Sequence, residues 1–139
     1  MKDFENVINT ILEKQGIVYI GSVDEDGFPN TKAMLAPRKR DGIKVFYFHT
    51  NTHSMRVRQY KNNPKANLYF SDNVSFHGVM LVGSMEVLED REHKEMLWQE
   101  GDTMYYSLGV TDPDYCVLKF TATQARIYRN FNSETFDME

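Results

Sequence analysis

The sequence predicts a mainly β fold with a few helices: six or seven antiparallel strands closed as a small barrel. Three observations carry this. Most of the chain falls into short runs of β-branched and aromatic residues. Consecutive runs are joined mostly by tight turns rather than by long crossovers. No βαβ series and no glycine-rich phosphate loop occurs, which argues against a Rossmann or P-loop arrangement. With 139 residues, 41% of them hydrophobic and 26% charged, residues 1–139 are sized for one domain with a core of its own.

The elements follow in order. Phe4, Val7, Ile8, Ile11 and Leu12 form one helical stripe, predicting a helix over residues 3–15 with Asp3 as its cap. From Ile17 to Val23 the period changes to that of a strand, expected to be buried on much of both faces. Asp24-Glu25-Asp26-Gly27 is a hairpin turn, and a second strand covers about residues 30–35. Lys39-Arg40-Asp41-Gly42 reads as another turn before a third strand, Ile43–His49. Residues 53–62 read as a short helix stopped ahead of Pro64. Strands at residues 65–71 and 75–88 come next, and Gly83 marks a bulge or bend in the longer one. A helix at residues 90–99, a loop to residue 114 and two last strands, 115–122 and 124–130, complete the order. The polar end, residues 132–139, is expected to be a frayed tail.

The net charge of −4 is unevenly placed. Between Lys32 and Lys65 nine basic residues face one acid, whereas the remainder carries seven basic and nineteen acidic residues. Such a block suits a local anionic ligand or a solvated face; the acidic remainder argues against nucleic acid. No apolar run is long enough to span a membrane, and Met1-Lys2-Asp3-Phe4-Glu5 lacks the basic head and apolar block of a signal peptide. The single Cys116 is expected as a buried small hydrophobe. Together these features predict a cytoplasmic protein. His49 and His53 straddle a strand end without a supporting cluster, so no metal site is expected.

The chemistry concentrates in Phe46-Tyr47-Phe48-His49-Thr50-Asn51-Thr52-His53-Ser54-Met55-Arg56, where a strand ends and a helix begins. Hydroxyls, free N–H groups at a helix start and a guanidinium make a phosphate cradle. The plainer alternative is that Thr52 or Ser54 caps the helix while Arg56 is solvated.

This stretch and its continuation to Phe70 resemble the pyridoxamine 5′-phosphate oxidase-like flavoproteins, closest to their short, general-stress-protein-like branch. Gly27-Phe28-Pro29, Val82-Gly83 followed by Glu86, and Asp112-Pro113 add to the resemblance, which covers about residues 4–130. It implies a split β-barrel homodimer with FMN at each of two subunit interfaces. It also implies that Thr50, Ser54, Arg56 and Lys32 hold the phosphate end, with His49 abutting it and Met55 a further cofactor contact. Ala33, Met34 and Leu35 would pass beside the flavin ring. Gly78 stands where the oxidase has a Gln, with His77 before it as a further cofactor contact. Trp98, Tyr105 and Tyr106 are either interface core or the wall that a partner subunit offers to the flavin.

The departures bear on activity. No Arg follows Tyr105-Tyr106 within the loop, and the basic, Trp-containing C-terminal segment of the oxidase has no counterpart. Efficient oxidation of pyridoxamine phosphate is therefore not expected. The leading reading is an FMN-dependent oxidoreductase acting on a small flat substrate or with a nicotinamide donor. A non-catalytic flavin-binding module, as sensor, carrier or stress protein, is the alternative. A barrel for haem or a deazaflavin is the third.

Overall fold

A computed structural model describes residues 2–14 and 16–138. Helix α1 (Lys2–Glu13) precedes the hairpin β1 (Ile17–Val23) and β2 (Pro29–Leu35). A short β3 (Lys39–Asp41) leads into β4 (Val45–Asn51), α2 (Met55–Asn62), β5 (Lys65–Asp72) and β6 (His77–Leu88). Helix α3 (Arg91–Leu97), a 3₁₀ turn (Asp102–Met104), β7 (Tyr115–Arg129) and β8 (Asn132–Asp137) complete the chain. The sheet runs β2-β1-β5-β6-β7-β4-β3, with β8 added to β7, and every pairing is antiparallel. Toward its two ends, β2 and β4 both line one cleft without pairing with each other, so the barrel is split there.

Alternation explains the core. Along β4, Phe46, Phe48 and Thr50 point inward and are buried, while Tyr47, His49 and Asn51 lie on the other face. Phe46, Phe48, Leu68, Phe70, Leu81, Leu118 and Phe120 fill the interior, and Phe4, Ile8, Ile11 and Leu12 of α1 join the same cluster. A second, smaller cluster holds Leu97, Tyr106, Tyr115 and Val117, with Tyr47 and Trp98 packed against it. It lies under α3 and the loop that follows.

Several elements differ from the sequence reading. Asp3 lies inside the first turn of α1, where a carboxylate still suits the helix dipole. Strand β1 is buried on one face only in its first half, because Ile17 and Tyr19 are exposed. Residues 39–41 form a strand rather than a turn, since they pair with Val45–Tyr47. The two last strands are one, bent where Val82 pairs with Gln124 but Gly83 with Ala122, leaving Thr123 as the extra residue. Residues 132–137, expected as a frayed tail, are β8. A two-residue turn at Asn130 and Phe131, φ +54° and +62°, returns the chain along β7, and Phe136 stacks on Phe4 at 4.3 Å between centroids.

Gly83 has a steric reason. A Cβ there would lie 1.9 Å from the Thr121 carbonyl oxygen, a backbone atom that cannot move aside cheaply. Gly83→Ala is expected to lower stability by about 1–3 kcal/mol. Urea denaturation checks this, and an unchanged midpoint contradicts it.

Candidate functional site

The cleft at the split has a volume of about 220 Å³. Lys32–Ala36 of β2 and its exit form one wall, Phe48–Asn51 of β4 the other, and Tyr105 and Tyr106 close it from the α3–β7 loop. The structure thus gathers Lys32, Ala33, Met34, Leu35, His49, Thr50, Tyr105 and Tyr106, which the sequence reading drew from three separate segments.

Helix α2 starts just beyond β4. Ser54 is its N-cap, the hydroxyl accepting from the Val57 N–H at 3.4 Å. Arg56, in the first turn, reaches back and donates from Nη2 to Thr50 Oγ1 at 2.8 Å. Among the described residues no carboxylate pairs with this guanidinium, and its Nε is buried without a hydrogen-bond partner. Burial also holds the Arg56 pKa below its ordinary value. A desolvated cation lacking an anion is an unfavourable arrangement, which a bound oxyanion would relieve. So Ser54 does cap the helix, as the plainer reading had it, but Arg56 is half-buried rather than fully solvated. Met55 is exposed beside it.

The helix is held from both sides. Tyr60 donates to the Gly21 carbonyl at 2.8 Å, and buried Gln59 engages Ser22 and Asn30. At the β4–α2 turn, Asp114 accepts from Asn51 Nδ2 at 2.8 Å and from the His53 N–H at 3.1 Å, while its carbonyl accepts from the Thr52 N–H at 2.8 Å.

The aromatic wall is held by Arg38. Its guanidinium makes a two-armed pair with Asp102, Nη2 to Oδ1 at 2.8 Å and Nη1 to Oδ2, and also donates to the Leu97 carbonyl. Asp102 Oδ2 accepts from the Gln99 N–H as well, and its pKa is held low mainly by the Arg38 hydrogen bonds. Above this pair, His49 Nδ1 lies 2.8 Å from the Tyr106 hydroxyl. Burial, then the Arg38 charge, holds the His49 pKa below its ordinary value, with Asp102 opposing.

Three predicted site residues lie elsewhere in the chain. Met55 lines a separate depression between α2 and the β1–β2 turn, with Asp24 and Arg58. His77 pairs with Asp72 at the far end of the β5–β6 hairpin, in a depression shared with α1. Trp98 stands one layer behind the wall, its ring against Tyr106 and Tyr115 at 6.2 and 5.4 Å. Arg38, Asp102 and Asp114 were not singled out for the site, because nothing local marks a pairing 64 or 63 positions away. The one available signal was the surplus of bases near Arg38 against the acids of the Glu100–Asp114 loop.

The basic block is not one solvated face. Arg38 and Lys61 pair with acids, Arg40 donates to Asn9 and to the Gly42 carbonyl, and Arg56 turns inward. Cys116 is buried, its thiol pushed up to about 11 by burial. Among the described residues no helix is long and apolar enough to cross a membrane.

The class that the fold and site define is a split antiparallel barrel with a basic, hydroxyl-lined helix start beside its opening. The sequence model of the family described as pyridoxamine 5′-phosphate oxidase matches residues 4–129, and the chain belongs to that family. A solved structure from Clostridium acetobutylicum, a protein related to general stress protein 26 of B. subtilis (pyridoxinephosphate oxidase family), is 45% identical, with a TM-score of 0.88 over 99% of this chain and 96% of that one. A pyridoxamine 5′-phosphate oxidase-related, FMN binding protein from Nostoc punctiforme shares the fold at 14% identity, with a TM-score of 0.70 over 96% of both chains. A heme binding protein from Mycobacterium smegmatis shares it at 13% identity and a TM-score of 0.74, covering 96% of this chain but 57% of that one. No curated protein is similar enough to count as a match.

Proposed function

We propose that this chain binds FMN at the barrel split and works as an oxidoreductase. The observation that carries the reading is Arg56: a half-buried guanidinium without a carboxylate partner, hydrogen-bonded to Thr50 at the start of α2. Family membership and an FMN-binding structural neighbour support it. Arg56, Thr50, Ser54 and Lys32 hold the phosphate by charge and by hydroxyl contacts. Bound FMN supplies hydride and single-electron transfer, while the protein supplies position and electrostatics. Ala33, Met34 and Leu35 give the ring an apolar bed, and Tyr105 and Tyr106 bound the space where a flat, weakly charged substrate such as a quinone or nitroaromatic sits. No second cluster of free cations for a substrate phosphate lies among the described cleft residues, and in this reading pyridoxamine phosphate is not oxidised efficiently.

The working unit in this reading is a homodimer. Ile17, Tyr19, Phe28 and Leu35 are exposed on the β1–β2 hairpin and its turn, and Met104, Tyr105 and Leu108 on the loop beside the cleft. Exposed apolar groupings of this kind mark interfaces. His77, remote from its own cleft, is a candidate contact to the partner's flavin.

One experiment covers the reading. The purified protein saturated with FMN is expected to show a bound-flavin absorption spectrum, to sediment as a dimer, and to be bleached by NADH or NADPH and reoxidised by a quinone. Preference for FAD over FMN, or a flavin-loaded monomer, contradicts it, as does pyridoxamine phosphate oxidation at a kcat/KM of about 10⁴ M⁻¹s⁻¹ or above. Bound flavin that no nicotinamide reduces favours the non-catalytic module.

A further inference from the structure

We propose that His49 presents its Nε2–H into the cleft as a hydrogen-bond donor to an acceptor oxygen of the ligand, and that Tyr106 sets this tautomer. The proposal rests on the cleft being the flavin site.

The Tyr106 hydroxyl is the starting point. The residue is 2% exposed, and burial raises its pKa, so the phenol keeps its proton. A buried hydroxyl proton requires an acceptor. Among the described residues its one polar partner is His49 Nδ1, at 2.8 Å. Nδ1 must then be the accepting nitrogen, and in a neutral imidazole the proton goes to the other one, Nε2. The opposite arrangement, Nδ1–H donating to the phenol, would leave the Tyr106 proton with no acceptor.

The surroundings keep the ring neutral. Arg38 stands behind it, and Asp102 is already engaged by both arms of that guanidinium. Tyr105 and Tyr106 border the ring at 5.6 and 5.8 Å between centroids, and Val117 is its neighbour across β7. Lys32, on the opposite wall, adds a positive charge to the cleft. None of these groups supplies a free anion to draw a second proton onto the ring.

Nε2 has no hydrogen-bond partner among the described residues, and His49 lines the cleft. Its donor is therefore available to a ligand. An N–H here suits an acceptor oxygen, whether a ring carbonyl or a phosphoryl oxygen, and repels a donor in the same place. Lys32 in the cleft, Arg56 hydrogen-bonded to the cleft residue Thr50, and Nε2–H as a neutral donor all favour an acceptor-bearing ligand.

The test is ¹⁵N-histidine NMR of the full chain, with His49→Gln assigning the resonance. In the ligand-free protein near pH 7, Nε2 is expected to be pyrrole-like and Nδ1 pyridine-like. Saturation with FMN is expected to shift Nε2 while Nδ1 stays pyridine-like. Parallel titrations with riboflavin and with inorganic phosphate separate the sources: a shift with riboflavin points to a ring or ribityl oxygen, a shift with phosphate to a phosphoryl oxygen. Tyr106→Phe, close in shape, is expected to erase the tautomer preference and weaken FMN binding by roughly 2- to 10-fold. A cationic or Nδ1-protonated ring in the free protein overturns the proposal. Bound FMN with an unmoved Nε2 overturns it alone, whereas a protein that binds no flavin at all overturns the parent reading with it.

Discussion

Replacing Arg56 with methionine is expected to weaken FMN binding by roughly 10- to 100-fold, the worth of one charge-assisted contact of about 1.5–3 kcal/mol. The same change is expected to leave the ligand-free protein as stable as before, or more stable. The reason is the unusual state of Arg56. It is half-buried, its Nε lacks a partner, its Nη2 has only the Thr50 hydroxyl, and no carboxylate balances it. A buried charge without a counter-charge opposes folding, and a methionine of similar length removes that opposition. Fluorescence titration of FMN and thermal denaturation of the ligand-free protein measure the two halves separately. Wild-type affinity in the variant removes Arg56 from the site. Lost affinity accompanied by a large loss of stability assigns it a structural role instead.

Breaking the Arg38–Asp102 pair has the opposite signature. Asp102 is 3% exposed, and its carboxylate accepts both guanidinium arms and the Gln99 N–H. Asp102→Asn leaves the Arg38 charge unpaired and is expected to lower stability by about 3 kcal/mol, a fall in Tm of roughly 10 °C for a chain of this size. The pair joins the β2–β3 connection to the loop carrying Tyr105 and Tyr106, so ligand affinity falls with it. Asp102→Leu combined with Arg38→Met is expected to recover much of the stability, because neither charge then remains buried alone. If the single variant melts like wild type, the pair does not hold the wall.

The pH dependence carries two contributions of the same sign that are read apart by their pH windows. Asp102 is depressed in the folded state, so its contribution is complete above the ordinary carboxylate pKa and is lost as pH falls through the folded value. His49 is also depressed, mainly by burial, so the unfolded chain takes up a proton that the folded one refuses. Stability therefore falls as pH drops below the ordinary histidine value of about 6.5, and His49→Gln flattens that part of the profile.

Local chemistry was legible along the chain wherever one element decides its own form. The stripe of Phe4, Ile8, Ile11 and Leu12 is a helix because side chains at that spacing share a face. Ser54 caps α2 because a hydroxyl one residue before a helix can accept from its first turn. Gly83 marks the bulge because only a missing Cβ lets Thr121 approach so closely. The stretch from Thr50 to Arg56 stood out for the same reason: a strand end, a cap and a guanidinium lie within a few residues of one another.

What the tertiary structure alone decided involves partners far apart in the chain. Asn132–Asp137 has little apolar content, so its strand exists only because β7 offers an open edge and Phe4 a stacking partner for Phe136. Tyr115–Arg129 is one strand because β6 continues beside it past the bulge. Arg38 meets Asp102, His49 meets Tyr106, and Asp114 clamps the turn before α2, all across separations of 57 to 64 residues. Periodicity, capping and turn chemistry act over one or two turns of chain. Which distant polar groups share a buried volume is set by how the sheet closes, and that closure brings β2, β4 and the tyrosine loop around a single cleft.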